Sequence, residues 1–304
     1  MSKDVTKAVI PAAGLGTRLR PLTQGMPKEL LPVGGKPIIQ YTLEMYMAAG
    51  ISEFCIITSP EKPQLQDFIT GNWTPPAFPF EKDAQFFEQM KRCRIVFITQ
   101  SHPRGVADAV GLAKDFVGNQ PFACIMPDCL LFSDKPHAQQ LLLAFKRYQK
   151  NVIGTIFIKG ADTRRFGNVG LLQTQRLDDG CFLITSLSDK KRKPLAIRPG
   201  KIVHKGFGGG IYLPEYFDLI DVIRPKIKGE VDDVPIHQIL IKEGKLMGVL
   251  LEGAAFDVGQ PLGLRAAAHY AGRRVMGINT NQLTQRLYSL PGLTNKNDKN
   301  NEPI

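Results

Sequence analysis

The segment from Lys7 to Pro37, KAVIPAAGLGTRLRPLTQGMPKELLPVGGKP, limits what this chain can be more than any other stretch. Ala8-Val9-Ile10 is a short apolar run, and Ala12-Ala13-Gly14-Leu15-Gly16-Thr17-Arg18 follows directly, so a buried strand empties into a turn of small residues. Glycine has no Cβ to hold a ligand off and tolerates positive φ, which lets backbone N–H groups close on a phosphate. Arg18, Arg20 and Lys28 bring positive charge to the same place. Such a loop suits a polyanion. Two familiar phosphate loops are excluded: G-x-G-x-x-G would need a glycine at position 19, which is Leu19, and no Gly-Lys-Ser/Thr follows at P-loop spacing.

From Lys7 to Ile158 short apolar runs alternate with amphipathic stretches. Strands are expected at Lys7–Ile10, Glu53–Thr58, Arg94–Thr99, Phe122–Met126 and Val152–Ile158, and helices at Ile38–Ala49, Glu61–Ile69, Gly105–Val117 and Pro136–Lys150. That alternation predicts an α/β fold, a doubly wound sheet between helical layers with ligands at the carboxyl ends of its strands. The run GNWTPPAFPF at Gly71–Phe80 is too rich in proline for helix, and with the helical Lys82–Arg92 it forms an insertion before the third strand. From Gly160 to Leu251 the character changes to hairpin-like pieces (Val169–Thr174, Cys181–Leu187, Lys201–Tyr212) without clean βα alternation. This reads as a lobe on the same sheet. A strand at Leu246–Leu251 and a helix at Pro261–Ala271 follow, and Ser289–Ile304 is polar without apolar period, which predicts a disordered tail.

A chain of 304 residues with 43% hydrophobic content can bury a sizeable core. It has no apolar run of 18 residues and no charged-then-apolar leader, so neither a membrane span nor export is expected. Five cysteines make no C-x-x-C pair and three lie in apolar runs, as reduced thiols of a cytoplasmic protein do. The net charge of +11 fits nucleic acid, an acidic membrane or phosphorylated small molecules. No nucleic-acid-binding motif accompanies it, so nucleic acid is not an expected partner. Its sharpest cluster, Lys190-Lys191-Arg192-Lys193, also suits a solvated hairpin tip.

AAGLGTR, then PLT, PKELLP and a further KP resemble the N-terminal signature of the sugar nucleotidyltransferases, the nucleoside-diphosphate-sugar pyrophosphorylases. Pro27-Lys28-Glu29 is most similar to the form in the bacterial UTP–glucose-1-phosphate uridylyltransferases. The resemblance covers residues 5 to 275. It implies a Rossmann-like mixed sheet in three α/β/α layers, with a nucleotidyltransferase domain over 1–285. Within it, 1–158 would take the nucleotide and 159–275 would form a sugar-binding lobe, ahead of a disordered tail at 286–304. An insertion like that at Gly71–Phe80 occurs in the UTP-glucose branch and is shorter in the dTDP-glucose branch.

The resemblance also assigns residues. Ala12, Ala13, Gly14, Leu15, Gly16 and Thr17 would hold the triphosphate, with Arg18 and Lys28 as catalytic cations. Gln100, followed five residues later by Gly105, would recognise a pyrimidine base, to which an amide offers both a donor and an acceptor. Asp128, ending the fourth strand near the phosphate loop, is a hard-oxygen Mg²⁺ ligand by its own chemistry. Asp257 matches the family's second metal aspartate; an aspartate at either place also suits an N-cap or turn. Phe166-Gly167, Ser188-Asp189-Lys190, Gly209-Gly210-Ile211-Tyr212 and Gly229-Glu230 stand where the family binds sugar, giving Gly167, Asp189, Gly210 and Glu230, with Lys190 aligning the sugar phosphate. Lys193-Pro194 offers a competing register.

The implied reaction joins UTP and glucose 1-phosphate into UDP-glucose and pyrophosphate with Mg²⁺, in an enzyme that assembles as a homodimer or homotetramer. The same chemistry with another base or sugar, and a silent nucleotide-sugar-binding regulator, remain open at this stage.

Overall fold

The computed structural model describes residues 4–72, 81–167, 170–178, 180–189, 197–198 and 200–274. The expectations for the Gly71–Phe80 insertion from residue 73 onward, for Lys190–Lys193 and for the tail at 286–304 fall outside these. Among the described residues nine strands form one sheet. In chain order they and the elements between them are β1 (Lys7–Pro11), the short pair β2 (Pro32–Val33) and β3 (Lys36–Pro37), α1 (Ile38–Met47), β4 (Glu53–Thr58), α2 (Pro63–Thr70), α3 (Glu81–Met90), β5 (Arg94–Thr99), α4 (Val106–Gly111), α5 (Lys114–Val117), β6 (Phe122–Ile125), β7 (Cys129–Phe132), α6 (His137–Tyr148), β8 (Asn151–Lys159), β9 (Leu172–Asp178), β10 (Cys181–Leu187), β11 (Ile202–Tyr212), α7 (Glu215–Ile223), α8 (Val234–Lys242), β12 (Leu246–Leu250), β13 (Ala254–Asp257) and α9 (Pro261–Arg274).

The sheet order is β5-β4-β1-β6-β11-β8-β12-β10-β9. β1, β4, β5 and β6 run parallel; β11 lies against both β6 and β8 in the opposite sense, and β10 likewise opposes β12 and β9. The layers follow from alternation along the central strands. Ala8 and Ile10 of β1 and Phe54 and Ile56 of β4 pack with α1, α2, α3 and α6, whereas Val9, Cys55 and Ile57 face α4, α5, α7 and α8. Both faces are covered, so these strands read as unbroken apolar runs rather than alternating ones.

The mixed three-layer sheet agrees with expectation; the stretch from Gly160 to Leu251 needs correction. Two helices, α7 and α8, follow the last hairpin-like piece and lie in a region where no clean βα alternation is expected. In α7 the residues Tyr216, Phe217, Ile220 and Ile223 recur at helical spacing and are buried, and α8 starts with proline in its first turn. The helix expected over Gly105–Val117 is broken into α4 and α5 around Leu112-Ala113.

Two buried histidines make acid stability testable. His137 opens α6 with Nδ1 3.4 Å from the Tyr46 hydroxyl and Nε2 unpartnered, and the Tyr212 hydroxyl lies 2.9 Å from His237 Nε2. Burial pushes both imidazoles down to about 4, against an unfolded value of about 6.5. The unfolded chain therefore binds protons first as pH falls. The stability is present above pH ~6.5 and lost towards pH ~4, by up to about 3 kcal/mol per histidine. The urea midpoint is expected to drop between pH 7.5 and 4.5, and an equal midpoint at both would contradict this account.

Candidate active site

β1 ends at Pro11 and hands the chain to the glycine turn. Ala12 and Ala13 are buried while Gly14, Leu15, Thr17 and Arg18 are exposed, so the turn faces outward over the sheet's carboxyl edge. Gly16 adopts φ 66°, and a Cβ there would stand 3.1 Å from Thr23 and 3.2 Å from Lys28, which fixes how closely the turn packs on the segment bearing Lys28. The Thr23 hydroxyl donates to the Gly16 carbonyl at 2.9 Å. Thr17, Arg18 and Leu19 then wind into a single 3₁₀ turn.

Beneath this turn lies a strut that sequence reading missed. Lys62, just before α2, is 4% exposed and donates to the carbonyls of Ala12 and Gly14, each at 2.6 Å, and to Glu29 Oε2 at 2.8 Å. Holding two carbonyls inward leaves the turn's N–H groups free for an anion. Burial lowers the Lys62 ammonium, and Glu29, 1% exposed, opposes that shift. A lysine beside a proline-capped helix looks like a solvated surface charge. Only the fold brings it under the turn.

Asp128 and Asp257, far apart in sequence, become neighbours because β7 and β13 pair antiparallel with Asp257 opposite Cys129, and the Val258 N–H donates to the Asp128 carbonyl at 2.8 Å. Leu130, Val258, Ala267 and Ala271 form a separate apolar cluster under this strand pair and α9. Lys28 donates to Asp128 Oδ2 at 2.6 Å, and the N–H groups of Gly167 and Gly259 donate to the two oxygens of Asp257 at 2.5 and 3.1 Å. A Cβ on Gly259 would lie 2.7 Å from Asp128 Oδ2, 3.2 Å from Asp257 Oδ1 and 3.3 Å from Arg18 Nη2. Two carboxylates and a guanidinium thus converge on one point that only glycine leaves open.

The electrostatics follow. Burial, then the charge of Asp128, pushes the Asp257 carboxyl above the ordinary carboxylate range. Burial would raise Asp128 too, but Lys28 and then Arg18 hold it below that range. Burial opposes the Lys28 ammonium, yet Asp128 and Glu29 raise it above the usual lysine value. Lys205 of β11, 3% exposed, is a further cation that sequence reading passed over. Burial lowers its ammonium, against the pull of Cys129, Asp257 and Asp128. Among the described residues no cluster of three or more histidine, cysteine, aspartate or glutamate side chains could hold a metal by itself. The carboxylate pair would need oxygens from a ligand.

At the end of β5, Gln100 is buried and its Nε2 donates to Asp108 Oδ2 at 2.9 Å and to the Gly105 carbonyl at 3.4 Å. Gly105, at φ 103°, stands against Val231, whose carbonyl would be 2.4 Å from a Cβ there. Arg18, Lys28, Asp128, Asp257 and Gly167 therefore gather at one place, with the base-site candidates Gln100 and Gly105 two strands over. Asp189 is exposed and held by Gln238 at 2.8 Å, and Glu230 is exposed beside Val231. Gly210 lies inside β11, where a Cβ would meet the Val152 carbonyl at 2.3 Å, so strand packing uses it rather than an open surface. Lys190 lies outside the described residues.

Comparison with known proteins points the same way. The nucleotidyl transferase family model matches residues 7–272. UTP–glucose-1-phosphate uridylyltransferase of Bacillus subtilis (strain 168) is 30% identical over 266 residues, 86% of this chain and 89% of that protein. UTP–glucose-1-phosphate uridylyltransferase 2 of Staphylococcus saprophyticus is 30% identical over 275 residues, 88% of this chain and 93% of that one. Among solved structures, a UDP-glucose pyrophosphorylase complexed with UDP-glucose superposes with a TM-score of 0.75 at 24% identity, over 89% of this chain and all of that one. A UTP-bound UGPase from Acinetobacter baumannii gives 0.71 at 21% identity, over 93% of this chain and all of that one.

Proposed function

Because this chain belongs to the nucleotidyl transferase family, we propose that it transfers the uridylyl group of UTP to glucose 1-phosphate, yielding UDP-glucose and pyrophosphate. The observation that carries the reading is the convergence of Arg18, Asp128 and Asp257 on the open face of Gly259, next to a turn whose Ala12 and Gly14 carbonyls are held by Lys62. Relatives bearing that activity in their names share 30% of their residues with this chain across most of their length.

In the reaction an oxygen of the sugar phosphate attacks the α-phosphorus in line, the α–β bridging P–O bond breaks, and pyrophosphate leaves. Such transfers need positioning and charge stabilisation more than covalent help. The N–H groups of Leu15 to Arg18 hold the triphosphate and Arg18 meets the charge growing on pyrophosphate. Lys28, oriented by Asp128, lies over the α-phosphate, and Lys190 aligns the attacking phosphate. A phosphate dianion is already nucleophilic, so no general base is required. Asp128 and Asp257 would hold Mg²⁺, and the site suits it: a half-buried and a buried carboxylate converge on one point, hard oxygens suit a hard cation, and phosphate oxygens would complete the shell. When bound, the ion screens the charge of the phosphates. Residues 1–158 take the nucleotide, while 159–275 carry the sugar contacts, with Gly167, Asp189 and Glu230 towards the hydroxyls and Gly210 shaping the strand behind them. A cytoplasmic homodimer or homotetramer is the proposed working form; among the described residues no helix is long and apolar enough to cross a membrane.

The test is a pyrophosphate-release assay with Mg²⁺ that crosses UTP, dTTP, CTP, GTP and ATP with glucose, galactose and mannose 1-phosphates. Release is expected with UTP and glucose 1-phosphate and should vanish on chelation with EDTA. Preference for another pair would move the specificity, and release from no pair would defeat the reading.

A further inference from the structure

The structure fixes which end of the Gln100 amide can meet a base. Both hydrogens of Nε2 are spent inward, on Asp108 Oδ2 at 2.9 Å and on the Gly105 carbonyl at 3.4 Å. Neither an ionised carboxylate nor a carbonyl can donate, so turning the amide round would set oxygen against oxygen. Asp108 is itself ion-paired. Its Oδ1 lies 3.4 Å from Nε of the half-exposed Arg224, a charge contact without a hydrogen bond, and the guanidinium lies over α4, where a Cβ on Gly111 would stand 2.6 Å from Arg224 Nη2. The Gly105 end is stapled too: the Val231 N–H donates to the Arg104 carbonyl at 2.6 Å, and the Ala107 N–H donates to the Val231 carbonyl at 3.0 Å. What remains is Oε1, which makes no hydrogen bond among the described residues. It sits at the carboxyl end of β5, two strand spacings or about 10 Å from β1, within reach of a nucleoside whose phosphates lie on the glycine turn.

The geometry points to Asp108, held by Arg224, as the positioning residue that selects the base: it locks Gln100 so that only a carbonyl faces the ligand, and the site accepts bases that present an imide N–H, uracil or thymine. Cytosine, whose N3 is an acceptor, meets oxygen there and is disfavoured. This inference rests on the nucleotide reading of the site and deepens it. Nothing in the sequence signals it, because an aspartate in the first turn of a helix usually serves the helix end alone.

The test titrates UMP and CMP into the full chain by calorimetry and measures initial rates with UTP and CTP. The parent is expected to favour UMP by about tenfold or more, the scale of one well-placed hydrogen bond. In Asp108→Asn, whose amide can accept or donate, Gln100 is free to flip. The preference should shrink towards unity, with the loss falling on KM for UTP rather than on kcat. Thermal unfolding shows whether the variant is folded. If it is not, Arg224→Gln leaves Asp108 in place without its ion pair and should lose part of the preference. Equal affinity of the parent for UMP and CMP overturns the inference, as does an unchanged ratio in a folded Asp108→Asn or Arg224→Gln protein. Selective UMP binding that Asp108→Asn abolishes, with no pyrophosphate release, would uphold the lock and defeat the catalytic reading instead.

Discussion

Asp128→Asn is expected to lower turnover by about 10²–10³-fold, the usual cost of removing one charge-stabilising group from a preorganised site. The substitution keeps the shape of the side chain and removes its charge. Lys28, now 2.6 Å from Asp128, would lose its orienting partner. Asp257, whose carboxyl stands above the ordinary range partly because of Asp128, would lose its like-charged neighbour. Asp257→Asn should cost a similar factor. The double variant decides between accounts. If both carboxylates serve one cation, removing the second costs little once the first is gone, and the pair of substitutions should lie within about tenfold of either single one. Losses that multiply would mean that the two act independently and that the shared site is wrong. Single-turnover rates at saturating UTP and Mg²⁺ make the comparison.

Lys62→Met should be the most damaging substitution away from the reacting phosphates. It removes the closer of the two ammonium groups facing buried Glu29, leaving only Lys28 at 3.8 Å, and breaking a buried pair costs roughly 3–5 kcal/mol. It also frees the carbonyls of Ala12 and Gly14, so the turn loses its set and the KM for UTP should rise by an order of magnitude or more. The two effects are separable. Adding Glu29→Leu removes the stranded charge and should recover much of the stability in urea denaturation, but it cannot restore the strut, so KM should stay high. Recovery of both together would make Lys62 a merely structural residue. Loss of neither would show that the turn holds its own shape.

What the sequence revealed and what it hid divide along physical lines. β1, β4, β5 and β6 were legible because strands covered on both faces read as apolar runs, and the turn after β1 was legible because glycines and cations crowd one short segment. Asp128 could be picked from its place at a strand end. Asp257 could be paired with it only by resemblance, since the partnership arises from a ladder between β7 and β13 that no local pattern announces. Lys62 and Lys205 were invisible for a common reason: a buried cation's importance lies in what surrounds it, and nothing along the chain distinguishes it from one on the surface; the half-exposed Arg224 was invisible because its partner Asp108 is distant in sequence. The helices α7 and α8 were not expected because each is only nine residues long, and apolar positions over so short a run do not tell a helix from a strand.

The place of β11 between β6 and β8 has a consequence for how the protein is made. At about 5–20 residues per second, the stretch from Asp128 to Asp257 takes on the order of ten seconds to emerge from the ribosome. Until β11 emerges, β6 has no neighbour on its outer edge, and until β13 emerges Asp128 and Lys28 wait without the strand that completes their site. Nascent chains halted before residue 202 would thus expose a hydrogen-bonding edge of the kind that invites association. They would also be unable to assemble the two-carboxylate centre, so the chemistry is among the last things this chain acquires.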